Sequence, residues 1–123
     1  MNYLVKEQNR KEFFTLEKCF ITELLNSSHY PEVSIAKGRV EPGVTTEWHW
    51  LQQTDEMHYI LSGKGQFEMD GEFNGTVEKG DLVFIPRNSN QRIKNITEQI
   101  SYSYASATQG LNQKIITPIN CTL

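Results

Sequence analysis

Four ionisable side chains lie within twelve residues of one another: Glu47, His49, Glu56 and His58. Imidazoles and carboxylates are the side chains that move protons near neutral pH and hold divalent cations. Whether these four work together depends on which way each one points. An extended chain sends successive side chains to opposite faces. Over residues 45–51, one face then carries Thr46, Trp48 and Trp50, and the other Thr45, Glu47, His49 and Leu51. Over 56–62, one face carries Met57, Tyr59 and Leu61, and the other Glu56, His58, Ile60 and Ser62. Half-buried antiparallel strands usually turn the apolar face inward, which would leave Glu and His in water. The opposite orientation lines a polar cavity with Glu and His and covers the aromatic face with another layer or a second subunit. Ile60 and Leu51 on the polar face favour this second orientation, and periodicity by itself leaves both open.

The elements that must position these groups are short. Runs rich in β-branched and aromatic residues predict strands over 19–25, 33–40, 45–51, 56–61, 65–70, 74–78, 81–85, 91–95 and 99–107. Turn signals separate them, among them Pro42-Gly43, Ser62-Gly63-Lys64-Gly65, Asp70-Gly71 and Lys79-Gly80-Asp81. That spacing predicts an all-β sandwich or barrel. The best helical candidate is 11–18. The last stretch, 110–123, holds Ile115, Ile116 and Ile119 and is expected to pack on the barrel or on a second subunit.

The 123 residues suit one domain over 1–123, long enough to build a core without a structural metal. A net charge of −3 with scattered Lys and Arg gives no basic stripe, so nucleic acid is not an expected partner. Apolar runs such as Leu82-Val83-Phe84-Ile85 are too short to span a bilayer, so no membrane is expected. The first residues have no apolar signal-like stretch, and Cys19 and Cys121 lie at opposite ends of the chain. A cytoplasmic protein with two reduced thiols is the expectation. Gly63-x-Gly65 joins two strands and is no phosphate loop.

The stretch from Pro42 to Asn95 resembles the two signature motifs of the cupin family. In motif 1, about 43–63, Gly43 is followed after five residues by His49, then Glu56, then Gly63 after six more. In motif 2, about 80–95, Gly80 leads to Pro86, with Asn88 at a glycine position, Gln91 at a histidine position and Asn95 at the end. The resemblance implies an antiparallel β-barrel of the jelly-roll type, a double-stranded β-helix, often paired as a homodimer. It also implies a divalent-metal site, for which this chain keeps His49 and Glu56. Leu51 stands where the family has a second histidine, and Gln91 where it has a third. His58, two residues from Glu56 on the same face, restores a two-histidine, one-carboxylate set. Such a set suits Fe(II), Mn(II), Ni(II) or Zn(II). Gln91 would add an amide oxygen or a supporting hydrogen bond.

The expectation is therefore a small cupin with a polar barrel pocket. Its metal ligands would be His49, Glu56, His58 and Gln91, with Glu47 as the catalytic base if its surroundings raise its pKa. It would act on a small polar molecule by isomerase, lyase or dioxygenase chemistry. The alternative is a non-catalytic module that binds a sugar or organic acid through a degenerate metal site, motivated by Leu51 and Gln91. A third reading makes the chain a structural or regulatory dimer in which Trp48, Trp50, Met57, Tyr59 and Leu61 serve as core or interface.

Overall fold

In a computed structural model, residues 3–99 are described in full and 101–109 by their backbone. These residues form one short 3-10 turn, Glu7–Asn9, and nine strands: β1 Phe13–Phe14, β2 Phe20–Leu25, β3 Val33–Val40, β4 Thr54–Ser62, β5 Lys64–Met69, β6 Phe73–Glu78, β7 Leu82–Ile85, β8 Gln91–Asn95 and β9 Ser101–Gln109. A six-stranded sheet runs β1-β2-β3-β9-β4-β7, and a three-stranded sheet runs β6-β5-β8. Every pairing is antiparallel. The chain thus has the jelly-roll fold expected of it, as two facing sheets whose strand ladders do not close into one ring among the described residues.

Alternation decides what lies between the sheets. On β4, Thr54, Glu56 and Ile60 are buried while Tyr59 is exposed, so the face bearing the acid is the inward one. Ile60 packs with Phe67 of β5, Val77 of β6, and Val83 and Ile85 of β7 in an apolar cluster that joins the sheets. A second cluster holds Cys19, Ile21, Ala36 and Leu51, with Val40 against it. Burying each such side chain is worth about 1.5–3 kcal/mol. Leu51, at the family's second histidine position, is therefore part of an apolar core.

Two expected elements differ from the structure. The candidate helix over 11–18 is instead β1 and a turn, with Phe13 and Phe14 paired to Ile21 and Phe20. The segment 45–51 is not a strand: its backbone pairs with β8 only at two isolated bridges, Thr45 to Lys94 and His49 to Gln91. Between them the Glu47 N–H turns away from β8 and donates to the Glu17 carbonyl at 2.9 Å. Strict alternation breaks there, so Thr46, His49 and Leu51 are all buried while Glu47 and Trp50 are exposed.

Asn88 occupies a motif glycine position at φ 66°, a left-handed conformation that asparagine tolerates better than most residues. Its side-chain oxygen accepts the Gln53 N–H at 2.9 Å, and its own N–H donates to Leu51 at 3.0 Å. The loop before β8 is thereby tied to the segment carrying His49 and Leu51. Cys19 is buried and disulfide-bonded, where a reduced thiol is expected from the sequence. Cys121, the tail isoleucines and the side chains of Tyr102 and Tyr104 lie outside the described residues.

Candidate polar site between the sheets

Glu56 reaches the site from β4 in one sheet and Gln91 from the start of β8 in the other. Glu56 is 4% exposed, Gln91 1% and His49 6%. The Gln91 side-chain N–H donates to Glu56 Oε1 at 2.6 Å, closing a contact across 35 residues of sequence. His49 is fixed beside Gln91 by a pair of backbone hydrogen bonds, its N–H to the Gln91 carbonyl at 3.0 Å and the Gln91 N–H to its carbonyl at 2.8 Å. His58 follows Glu56 on β4, with its ring edge toward Phe67 at 6.1 Å between centroids. The structure thus brings His49, Glu56, His58 and Gln91 to one buried polar locus.

The charges can be read from these contacts. Burial alone would raise the Glu56 carboxyl, but His58, the Gln91 amide and His49 outweigh it and hold the group below its ordinary range. Glu56 is thus a buried carboxylate. Burial also lowers the His49 pKa, so its imidazole is neutral near pH 7. His49 Nδ1 lies 2.9 Å from the Glu47 carbonyl oxygen, which can only accept. Nδ1 therefore carries the proton, and Nε2 presents a lone pair.

His58 Nε2 lies 3.0 Å from Glu56 Oε1, yet its geometry makes no hydrogen bond, so it is a buried ring nitrogen without a hydrogen-bonding partner. Imidazole nitrogen and carboxylate oxygen bind zinc and similar metals at about 2.0–2.2 Å, so two neighbouring ligands sit roughly 3 Å apart in six-coordinate geometry and roughly 3.4 Å apart in tetrahedral geometry. The His58–Glu56 pair, at 3.0 Å, is close to the first of these, and the donor set of imidazoles, carboxylate and amide oxygen suits a divalent first-row metal. As placed, among the described residues no group of three or more His, Cys, Asp or Glu side chains is close enough to hold an ion. The fit therefore rests on the donor chemistry and on the one pair.

Glu47 lies elsewhere. Its carboxylate is about half exposed and pairs with Lys18 at 2.8 Å. That contact lowers its pKa, the opposite of what a general base near neutrality requires. It touches the site through its backbone only. Trp48, on the same segment, carries the Arg92 guanidinium 4.3 Å above its ring, and Arg92 in turn pairs with Glu68 at 2.5 Å. An open cleft of about 350 Å³ is lined by Trp48, Met69 and Phe73, among others.

Two groups have roles that the sequence does not signal. Asn95 is 1% exposed and fully bonded: it donates to the carbonyls of Val40 at 2.9 Å and Gln99 at 2.8 Å and accepts from Thr97. The motif marks its position but not its role, which is to tie the end of β3 to the loop after β8. Glu17 has no exposed surface, and nothing in its neighbours in sequence predicts that.

A family model described as "Cupin domain" matches residues 37–103. An uncharacterised protein of Methanocaldococcus jannaschii, MJ1618, is 35% identical over 88 residues, covering 70% of each chain. Oxalate decarboxylase OxdC of Bacillus subtilis is 31% identical over 67% of this chain, which spans only 22% of that relative. Among solved structures, a predicted oxalate decarboxylase from Thermotoga maritima superposes with a TM-score of 0.75 at 19% identity, covering 87% of this chain and 99% of its own. Pac13 of Streptomyces, a nucleoside dehydratase, superposes at 0.73 with 16% identity, covering 95% and 91%. At these identities the two superpositions establish the fold alone.

Proposed function

The chain belongs to the cupin family, and from that premise we propose that it binds a small polar molecule, together with a divalent metal, at the locus of His49, Glu56, His58 and Gln91. The observation that carries this reading is the buried, ionised Glu56 beside a ring nitrogen of His58 that has no hydrogen-bonding partner. An isolated buried charge costs several kcal/mol, so folds retain one where it is paired or coordinates a cation.

His58, Glu56 and the Nε2 lone pair of His49 would hold the metal, with Gln91 fixing Glu56 and lending its amide oxygen. Bound there, the ion would act as a Lewis acid toward a substrate oxygen. The protein's own groups divide the remaining work. Gln91 keeps the carboxylate oriented, the Glu47 carbonyl keeps the proton of His49 on Nδ1, and the apolar cluster around Ile60 and Phe67 limits water. The reaction class is isomerase, lyase or dioxygenase. The decarboxylase among the sequence relatives leans toward lyase chemistry.

Adding Mn(II), Fe(II), Ni(II) or Zn(II) to chelator-treated protein tests this reading. At least one of the four should raise Tm in a saturable way, through binding to the folded state. His58→Ala should remove the shift. Four flat titrations, or a shift unchanged in the variant, would reject the metal.

A second reading, a non-catalytic binding module, is favoured by Leu51, which is 3% exposed inside an apolar cluster and supplies no ligand. Turnover of any compound that is lost in His49→Ala would decide against it. Under either reading we propose a homodimer. Tyr59 and Leu82 are cross-strand partners on the outer face, as are Met57 and Phe84. Tyr59, Leu82 and Phe84 are 46%, 62% and 53% exposed, an apolar patch of a kind that marks an interaction surface.

A further inference from the structure

We propose that the turn 15–19 is a proton-dependent clasp on the segment that carries His49, with the buried Glu17 carboxyl as its sensitive part. The proposal rests on the reading of His49 as a site residue only for its consequence. The clasp itself stands on contacts outside the site.

The turn is tightly made. Thr15 donates both its N–H, at 2.8 Å, and its hydroxyl, at 2.9 Å, to the Cys19 carbonyl, and the Lys18 N–H donates to the Thr15 carbonyl at 3.1 Å. Lys18 sits at φ 71°, a left-handed conformation that costs a side-chain-bearing residue energy and persists only where surrounding contacts enforce it. From this turn two contacts reach one residue. The Glu17 carbonyl accepts the Glu47 N–H at 2.9 Å, and Lys18 Nζ meets Glu47 Oε1 at 2.8 Å. Glu47 then accepts His49 Nδ1–H on its own carbonyl at 2.9 Å. The orientation and tautomer of the His49 ring are thus set through Glu47 by the turn, which makes Glu17 and Lys18 positioning residues.

The Glu17 side chain makes the turn sensitive to protons. It has no exposed surface, and neither carboxyl oxygen has a hydrogen-bonding partner. Burial pushes the group up to about 7, against a smaller pull from its own N–H and the Thr15 hydroxyl. The charged side chains that the turn brings together, Lys18 and Glu47, pair with each other toward solvent, and among the described residues no charged side chain contributes to the shift. A neutral carboxyl can stay buried there. A carboxylate without donors must take up water, and the turn must open to admit it. Opening releases the Glu47 N–H and with it the His49 ring.

Imidazole nitrogen spectra of the labelled full-length protein from pH 5.5 to 8.5 test the clasp. In the wild type, His49 should hold the Nδ1–H tautomer at pH 5.5 and lose it with a midpoint near 7. In Glu17→Gln, which keeps the shape without the charge, it should hold that tautomer through pH 8.5. Glu17→Met serves as a second uncharged variant if the first does not fold. A wild-type ring that keeps one tautomer throughout overturns the proposal whatever the variants do, as does an identical pH profile in the variant. The spectra need neither metal nor ligand. A pH-dependent tautomer in a protein that binds no metal leaves the clasp standing and removes the metal reading, and the reverse pattern does the opposite.

Discussion

Glu56 keeps its charge where burial alone would neutralise it, and the Gln91 amide at 2.6 Å is the donor that touches it most closely. Gln91→Ala removes a hydrogen bond to a buried charge and should cost about 2–3 kcal/mol in urea denaturation at pH 7. Glu17 behaves in the opposite sense. Its folded pKa is raised from 4.5 to about 7, so between those values the folded state keeps a proton that the unfolded state has lost. Its contribution is therefore intact below pH 4.5, falls as pH rises toward 7, and is flat above. The loss over that window is on the order of 3 kcal/mol. Denaturation curves of the wild type and Glu17→Gln should converge near pH 4.5 and separate by pH 7, with the variant more stable. Parallel curves would contradict the assignment. Of these residues, Glu56 and Gln91 are legible in the sequence because the motif spacing marks both. Glu17 is not, since no motif or spacing marks it and the turn that holds it meets Glu47 thirty positions away.

At the scale of elements, strand alternation works wherever a ladder is continuous. The expected strands 33–40 and 91–95 coincide with β3 and β8, and the inward face of β4 carries Glu56 as the polar-cavity orientation requires. It fails over 45–51, where one N–H leaves the ladder for Glu17. From that point parity no longer tells inside from outside, which is why Glu47 shares no face with His49. The candidate helix fails for a related reason, since pairing of Phe13 and Phe14 with β2 is a long-range gain that local propensity does not encode. The same segment carries a prediction about the departure from the family motif. Leu51 packs with Cys19, Ile21 and Ala36, so Leu51→His would bury an imidazole in an apolar cluster. It should lower stability by about 2–3 kcal/mol and leave metal binding no tighter. A variant as stable as the wild type with tighter metal binding would show that position 51 still faces the site.

For the whole molecule, the two sheets hold the polar locus between apolar clusters, while the outer face of β4 and β7 leaves Tyr59, Leu82 and Phe84 in contact with water. Sedimentation of the wild type should give a dimer. Leu82→Lys with Phe84→Lys, both on exposed positions of the edge strand, should give a folded monomer with an unchanged far-ultraviolet spectrum. A wild-type monomer would remove the dimer from the account. Among the described residues no helix is long and apolar enough to cross a membrane. The overall architecture is legible in the sequence because turn residues and short apolar runs recur along most of the chain. The choice of which sheet face turns inward is not, because two tryptophans and a tyrosine on the outer face read locally as core.

The most direct measurement is elemental analysis of protein purified without chelators, beside the His49→Ala, Glu56→Gln double variant. About one divalent first-row metal per chain is expected in the wild type and none in the variant, with both proteins folded. A metal-free wild type, or metal retained undiminished in the double variant, would contradict the metal reading.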